Sequence, residues 1–283
     1  MRSPELHLPT GPAPDWRTAR LPEGLRVYAF GDVHGRTDLL RGLRDEIRRH
    51  IGYSDPARTV VIGLGDYVDR GPDSRGVIDL LLEAFGADVE TVLLRGNHEE
   101  LLLRFLDQPE AAGPAWLRMG GLHFLQSYDV DIRPYAGASP DLQMARDDLI
   151  HHLPSKHLAL LQAMPTSRTL GDYLFVHAGV RVGVPSTRQK TEDLLWIRTG
   201  FSDRDEPFEK VVVHGHTPSA MPYSGRYRIN VDTAAYASGR LTCVILEGSR
   251  RQMLQIVPSI EGDLPRTTAA LFNPVSDFRS DNE

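Results

Sequence analysis

Cysteine is nearly absent. A single residue, Cys243, cannot form an intrachain disulfide, and it leaves no thiolate-rich metal knuckle to search for. Its place in the apolar run 241–246 reads as a small buried side chain rather than a reactive thiol. Lysine is scarce too. Lys156, Lys190 and Lys210 are three of 32 basic residues, so most positive charge rests on planar guanidinium forks suited to phosphate. A basic excess is missing: 38 acidic residues give a formal net charge of −6, which speaks against bulk nucleic-acid binding. No apolar stretch approaches the ~18–20 residues of a membrane span. The N-terminal run MRSPELHLPTGPAPDW lacks a hydrophobic core and carries a glutamate, so a soluble, cytoplasmic protein with no membrane partner is expected.

What is present suits a globular protein. The 283 residues are 41% hydrophobic and 25% charged, enough for one large α/β domain or two small ones. Residues 1–24 are rich in Pro and Gly and read as a flexible arm, and 258–283 read as a polar tail or surface strap. Between them, 26–30, 59–64 and 90–94 read as buried strands. Each is followed by apolar residues at helical spacing: Leu39, Leu40, Leu43 and Ile47; then Val77, Ile78, Leu81, Leu82 and Phe85; then Leu101, Leu102, Phe105 and Leu106. Three successive β–α units imply parallel strands. Residues 108–164 read as a helical insertion, and strands return at 173–177, 210–214, 227–231, 241–246 and 252–257. The expected fold class is α/β (or α+β), a mixed β-sheet or two-sheet sandwich with helices outside.

Each strand of the first half ends in a polar block: Gly31-Asp32-Val33-His34-Gly35, then Gly65-Asp66-Tyr67-Val68-Asp69-Arg70-Gly71, then Gly96-Asn97-His98-Glu99. The second half adds His177-Ala178-Gly179 and His214-Gly215-His216-Thr217. Carboxyl ends of parallel strands lie along one sheet edge, so these blocks converge on one crevice. One Asp or His at a strand end is most often a cap or turn residue. Five such blocks in order are another matter, since the Gly-Asp-x-x-Asp-Arg-Gly match alone arises by chance in roughly one chain of this size in several thousand. Imidazoles, carboxylates and an amide oxygen without thiolate suit Mn²⁺, Fe²⁺, Zn²⁺ or Co²⁺. Two such ions about 3.5–4 Å apart hold a bridging hydroxide, the usual nucleophile of binuclear hydrolysis.

The ordered blocks resemble the calcineurin-like metallophosphoesterases, and within them the bacterial serine/threonine phosphoprotein phosphatase branch. The resemblance spans about 26–247 and implies one binuclear domain over 25–257 with a metallophosphoesterase-type sandwich. It implies that Asp32 and His34 bind a first metal, that Asp66 bridges both, and that Asn97, His177 and His216 complete the second. It places His98 as general acid with Asp69 as its partner, and Arg70 and Arg198 on the phosphate. Arg198 has an alternative as a stem packed on Trp196, His214 is expected as a neighbour of the ligands, and Arg95 is left between phosphate contact and bracing. Pro218 stands where the broader superfamily often has a second His. Two divalent ions are implied as cofactors, with Mn²⁺ expected to activate.

For the substrate, a phosphorylated protein or small phosphoester is expected first, with a dinucleoside polyphosphate such as diadenosine tetraphosphate as the alternative. Trp116, His123, Phe124, Tyr128 and Tyr135 of the insertion either stack on adenine or form the insertion's own core, and the second reading is preferred. A scaffold that has lost catalysis is disfavoured, because all six implied ligands and the acid–carboxylate pair are present.

Overall fold

The computed structural model describes residues 14–53, 58–131, 133–135, 141–261 and 264–272. The first half builds β1 (Leu25–Phe30), α1 (Thr37–Tyr53), β2 (Arg58–Gly63), α2 (Ser74–Leu82), β3 (Val89–Leu93) and α3 (Asn97–Asp107). β1 pairs in parallel with β2, and β2 with β3, as the strand–helix alternation requires. All six residues of β1 are buried because the sheet is covered on both faces. Tyr28 and Phe30 face a core shared with the helices, which includes Leu39, Leu40, Leu43 and Ile47 of α1. Leu25, Val27 and Ala29 face the opposite core. Val77, Ile78 and Leu81 of α2 are buried as their spacing predicts, whereas Leu82, the last residue of that helix, is left exposed.

The insertion forms α4 (Pro109–Trp116), a segment kinked at Gly120 (Leu117–Gly121), α5 (Leu122–Ser127), α6 (Leu142–His152) and α7 (Ser155–Ala163). Trp116, Phe124, Tyr128 and Tyr135 are buried and belong to the same core as α1 and β1. The chain continues through β4 (Ser167–Leu170), β5 (Tyr173–Val176), α8 (Thr191–Trp196), β6 (Val211–His214), β7 (Tyr223–Ser224), β8 (Arg228–Asn230), α9 (Ala235–Ser238), β9 (Leu241–Glu247), β10 (Arg250–Glu261) and β11 (Leu264–Phe272). Two mixed sheets result, ordered β11-β10-β9-β1-β2-β3 and β4-β5-β6-β8-β7. They face each other across an apolar layer of Val27, Ala29, Val60 and Ile62 against Phe175, Val211, Val213 and Ile229. A smaller cluster of Leu174, Val176 and Val212 with Leu194, Phe201 and Phe208 covers the outer face of the second sheet. The α/β sandwich flanked by helices is the architecture expected from the sequence.

Two terminal expectations change. The described part of the N-terminal arm is tied down: Ala19 and Leu21 are buried, and the Leu21 N–H donates to the Gly248 carbonyl at 2.9 Å. Residues 1–13 lie outside the described residues. The tail expected from 258 enters the first sheet, where β10 runs on to Glu261 and β11 returns beside it, with 273–283 outside the described residues. Polarity and Pro258 conceal this, but past Ile256, opposite Leu241, β10 pairs among the described residues with β11 alone and can tolerate a residue without an N–H. Among the described residues no helix is long and apolar enough to cross a membrane.

Candidate metal centre

The five blocks meet at the carboxyl ends of β1, β2 and β3 in one sheet and of β5 and β6 in the other. Tight chain reversals deliver them. His34, Asp66, Asp69, Arg70 and His216 all have positive φ, between 44° and 67°. Such left-handed backbone in non-glycine residues is strained and gathers at functional sites. Gly65 and Gly96 let two loops touch, because a Cβ on Gly65 would lie 2.6 Å from the Gly96 Cα. α3 starts directly on Asn97, so its N-terminus points at Asp66, whose Oδ1 accepts from the His98 N–H at 3.1 Å.

Asp66 stands between two groups of ligand atoms. Its Oδ1 lies 3.3 Å from His177 Nε2, which in turn is 2.9 Å from Asn97 Oδ1 and 3.2 Å from His216 Nδ1. Its Oδ2 lies 3.6 Å from His34 Nε2 and 3.8 Å from His98 Nε2. Among the described residues, His34, Asp66 and His98 form one set and Asp66, His177 and His216 the other, with the ligand atoms of each within 4.8 Å of one another. Asp32 is buried beside them, its Oδ1 accepting from the His216 N–H at 3.2 Å, and it belongs to neither set.

The protons decide what the sets can hold. His34 Nδ1 donates to the Val68 carbonyl at 2.7 Å, and His177 Nδ1 donates to the Leu64 carbonyl at 2.9 Å. Each Nε2 is then an acceptor: that of His177 faces the Asp66 and Asn97 oxygens, and that of His34 faces Asp66 Oδ2 and the Arg70 guanidinium. Where such an acceptor faces Asp66 or Asn97 oxygen in a buried site the two repel unless a cation sits among them, so this donor set fits divalent metal ions.

Electrostatics tell the same story. Burial, then the charges of Asp232 and Asp66, push the Asp32 carboxyl well above its usual value. Burial and the charge of Glu99 do the same to Asp66. Burial holds His34 and His177 well below the usual imidazole value and brings His216 down to about 2, with neighbouring imidazoles and Arg198 adding to the effect on His216. Neutral imidazoles and crowded carboxyls are the protonation pattern that a cation completes.

The two side chains expected to act as acid and partner are in contact. His98 and Asp69 are fully buried, with Nδ1 2.7 Å from Oδ2. His98 Nε2 has no hydrogen-bond partner among the described residues and faces the ligand sets. Burial, Arg70 and Arg198 all lower the His98 pKa, and burial raises that of Asp69. Arg70 Nη1 donates to His34 Nε2 at 3.1 Å, and its guanidinium lies 5.1 Å from the Tyr236 ring centroid. Arg198 donates from Nε to His216 Nε2 and from Nη2 to the His216 carbonyl, both at 3.1 Å. One guanidinium thus borders each ligand set.

Two further expectations concern His214 and Arg95. His214 packs against Phe201 and Arg228, outside both ligand sets but close enough to interact electrostatically with His177 and His216, as the neighbour expected. Arg95 braces Glu100 and the Gln162 carbonyl.

Two residues of consequence carried no assigned role. Glu99, within the third block, takes four backbone N–H bonds: Gly96 and Asp66 on Oε2 at 2.8 and 2.9 Å, and Tyr67 and Val68 on Oε1 at 2.8 and 3.2 Å. Its spacing three residues after Gly96 is a helix-start signature that could have flagged it. Asp232 is buried against Asp32, and its position just past the strand expected at 227–231 is the same strand-end signal used for the five blocks.

The calcineurin-like phosphoesterase family model matches residues 25–239. An asymmetrical bis(5'-nucleosyl)-tetraphosphatase PrpE of Oceanobacillus iheyensis is 25% identical over 237 residues, covering 77% of this chain and 87% of that protein. Serine/threonine-protein phosphatase 1 of Salmonella typhimurium is 35% identical over 95 residues, only 34% of this chain and 38% of that protein. A cold-active protein-tyrosine phosphatase of a psychrophilic Shewanella superposes with a TM-score of 0.50 at 16% identity, covering 88% of this chain and 83% of that one, a likeness of fold alone. With its five blocks gathered around Asp66 and the family match running through all of them, the chain belongs to the calcineurin-like phosphoesterases.

Proposed function

We propose that the protein is a metal-dependent phosphomonoesterase acting on phosphorylated serine and threonine side chains. The observation that carries the reading is the juxtaposition of the paired ligand sets on Asp66 with a buried His98–Asp69 pair and two arginines. His34 and Asp66, with Asp32 beside them, would hold one divalent cation, and Asp66, Asn97, His177 and His216 the other; Mn²⁺ is the expected activator, with Fe, Zn or Co as alternatives. Bound there, the cations supply Lewis-acid charge and an acidified water as nucleophile.

The remaining work falls to the chain's own side chains. Arg70 and Arg198 grip the non-bridging phosphoryl oxygens and stabilise charge there as water attacks in line. His98 offers a proton from Nε2 to the departing alkoxide, while Asp69 fixes the ring through Nδ1. Cys243 takes no part, since it is buried in the helix-side core with burial raising its thiol pKa.

Burial of Trp116, Phe124, Tyr128 and Tyr135 in that core supports the phosphoprotein reading over the dinucleotide one, since those rings are committed to packing. The alternative, hydrolysis of diadenosine tetraphosphate, draws on the tetraphosphatase likeness and on Tyr236, a 41% exposed ring beside Arg70. Turnover of Mn²⁺-loaded protein is to be measured side by side on phosphoserine and phosphothreonine peptides and on diadenosine tetraphosphate. Higher kcat/KM on the peptides is expected, and higher kcat/KM on the dinucleotide would overturn the choice.

A further inference from the structure

The Trp116 indole N–H lies 3.3 Å from Asp69 Oδ1, on the oxygen that His98 does not use. We propose that Trp116 is a positioning residue for proton delivery: through Asp69 it holds the His98 ring in the orientation that aims Nε2 at the leaving oxygen. The proposal rests on the reading of His98 as general acid.

Asp69 is fully buried, so each carboxylate oxygen needs a donor. Its backbone is pinned by an N–H bond to Ser74 Oγ at 3.0 Å, but that bond does not fix the plane of the side chain. The plane is set by two donors on opposite oxygens, His98 Nδ1 at 2.7 Å and Trp116 Nε1 at 3.3 Å. Take away the indole N–H and the carboxylate can turn about its last torsion, carrying the imidazole with it.

The tryptophan is itself held firmly. Its ring is fully buried, stacks on Phe105 with centroids 4.4 Å apart, and meets Phe124 edge-on at 6.0 Å. Phe105 sits on α3, the helix that begins with Asn97 and His98, so one helix carries both the acid and the ring that supports its brace. Gly121 gives the indole room, since a Cβ there would come within 2.5 Å of it.

The turn that follows has a related task. Gly120, at the kink between α4 and α5, has φ of 113° and lies against the Arg70 backbone, where a Cβ would fall 2.8 Å from the Arg70 nitrogen. The helical insertion therefore reaches the reaction at two points, through Trp116 on Asp69 and through Gly120 on Arg70. Packing alone would be served by any large aromatic ring at 116, whereas bracing Asp69 needs the N–H.

Trp116→Phe separates the two roles, because it keeps a ring in the pocket and deletes the donor. A general acid matters most for a strongly basic leaving group and little for p-nitrophenolate, which departs unaided. Steady-state rates of the metal-loaded protein are to be measured on p-nitrophenyl phosphate and on a simple alkyl phosphate, for wild type, W116F and H98N. W116F is expected to lose roughly 10–100-fold in kcat on the alkyl ester, a part of the full acid contribution, and less than about threefold on the nitrophenyl ester. KM and metal content should stay near wild type. Equal losses on both esters, or none on the alkyl ester while H98N shows the selective loss, would overturn the proposal. An H98N protein with no selectivity would instead remove the acid assignment, and the proposal with it. Should W116F fail to fold, the benzothiophene isostere of tryptophan at 116, which lacks only the N–H, allows the same comparison.

Discussion

Replacing Glu99 with glutamine perturbs the support of the metal centre without touching a ligand atom. The four N–H bonds that Glu99 accepts tie the start of α3 to the loop carrying Asp66. Glutamine has one acceptor oxygen. Its amide group must replace either Oε2, facing Gly96 and Asp66, or Oε1, facing Tyr67 and Val68. The second choice is cheaper because the Val68 contact, at 3.2 Å, is the longest of the four. Two charge-assisted bonds are then lost, at ~1.5–3 kcal/mol each. Some of this returns, since the Glu99 charge also raises the Asp66 pKa and its removal relieves that repulsion. The net loss is ~2–5 kcal/mol, which for a chain of this size lowers the melting temperature by roughly 5–15 °C. Urea unfolding of chelator-treated wild type and E99Q, followed by circular dichroism, measures it directly. A difference below about 1 kcal/mol would refute the idea that Glu99 holds the loop. E99Q should still bind metal below its melting point, because Asp66, Asn97, His177 and His216 all remain.

Asp66→Asn should behave in the opposite way, leaving the fold intact while metal content, read by elemental analysis, falls together with turnover. The loss of turnover should be roughly 10³-fold, the scale of removing a principal electrostatic stabiliser. His214, which belongs to neither ligand set, offers a pH test. Its Nε2 faces the Arg228 guanidinium at 3.4 Å, and burial followed by that charge brings its pKa down to about 3. The folded ring is therefore neutral between pH 3 and 6.5, where the unfolded chain takes up a proton, so stability is lost as pH falls below 6.5. Between pH 7.5 and 5.5 this one group should cost ~1.3 kcal/mol, and denaturant midpoints of wild type should show that extra loss relative to His214→Phe. Parallel pH trends in the two proteins would rule it out.

Much of this was legible because it is local. The strands of the first half and the apolar faces of α1 and α3 follow from spacing, and Asp32, His34, Asp66, Asn97 and His177 announce themselves by following strands. The same signal extended by one strand would have found Asp232. β11 was missed because an edge strand, half exposed and interrupted by proline, lacks the apolar run that marks a central one. His214 lies near the ligands as its spacing implies, but it does not face the same way as His216, because the positive φ of His216 breaks the strand's alternation there.

Residue identity and order alone determined which donor types are available and that they end successive strands. Only the tertiary structure decided how they divide. It set His98 beside His34 on one oxygen of Asp66, drew Asp32 onto the His216 backbone and against Asp232, and brought Trp116 across 47 residues to Asp69. Sequence pattern fixes the direction of a side chain within its own element. Distances between elements depend on how two sheets and an insertion pack, and that is a property of the whole chain.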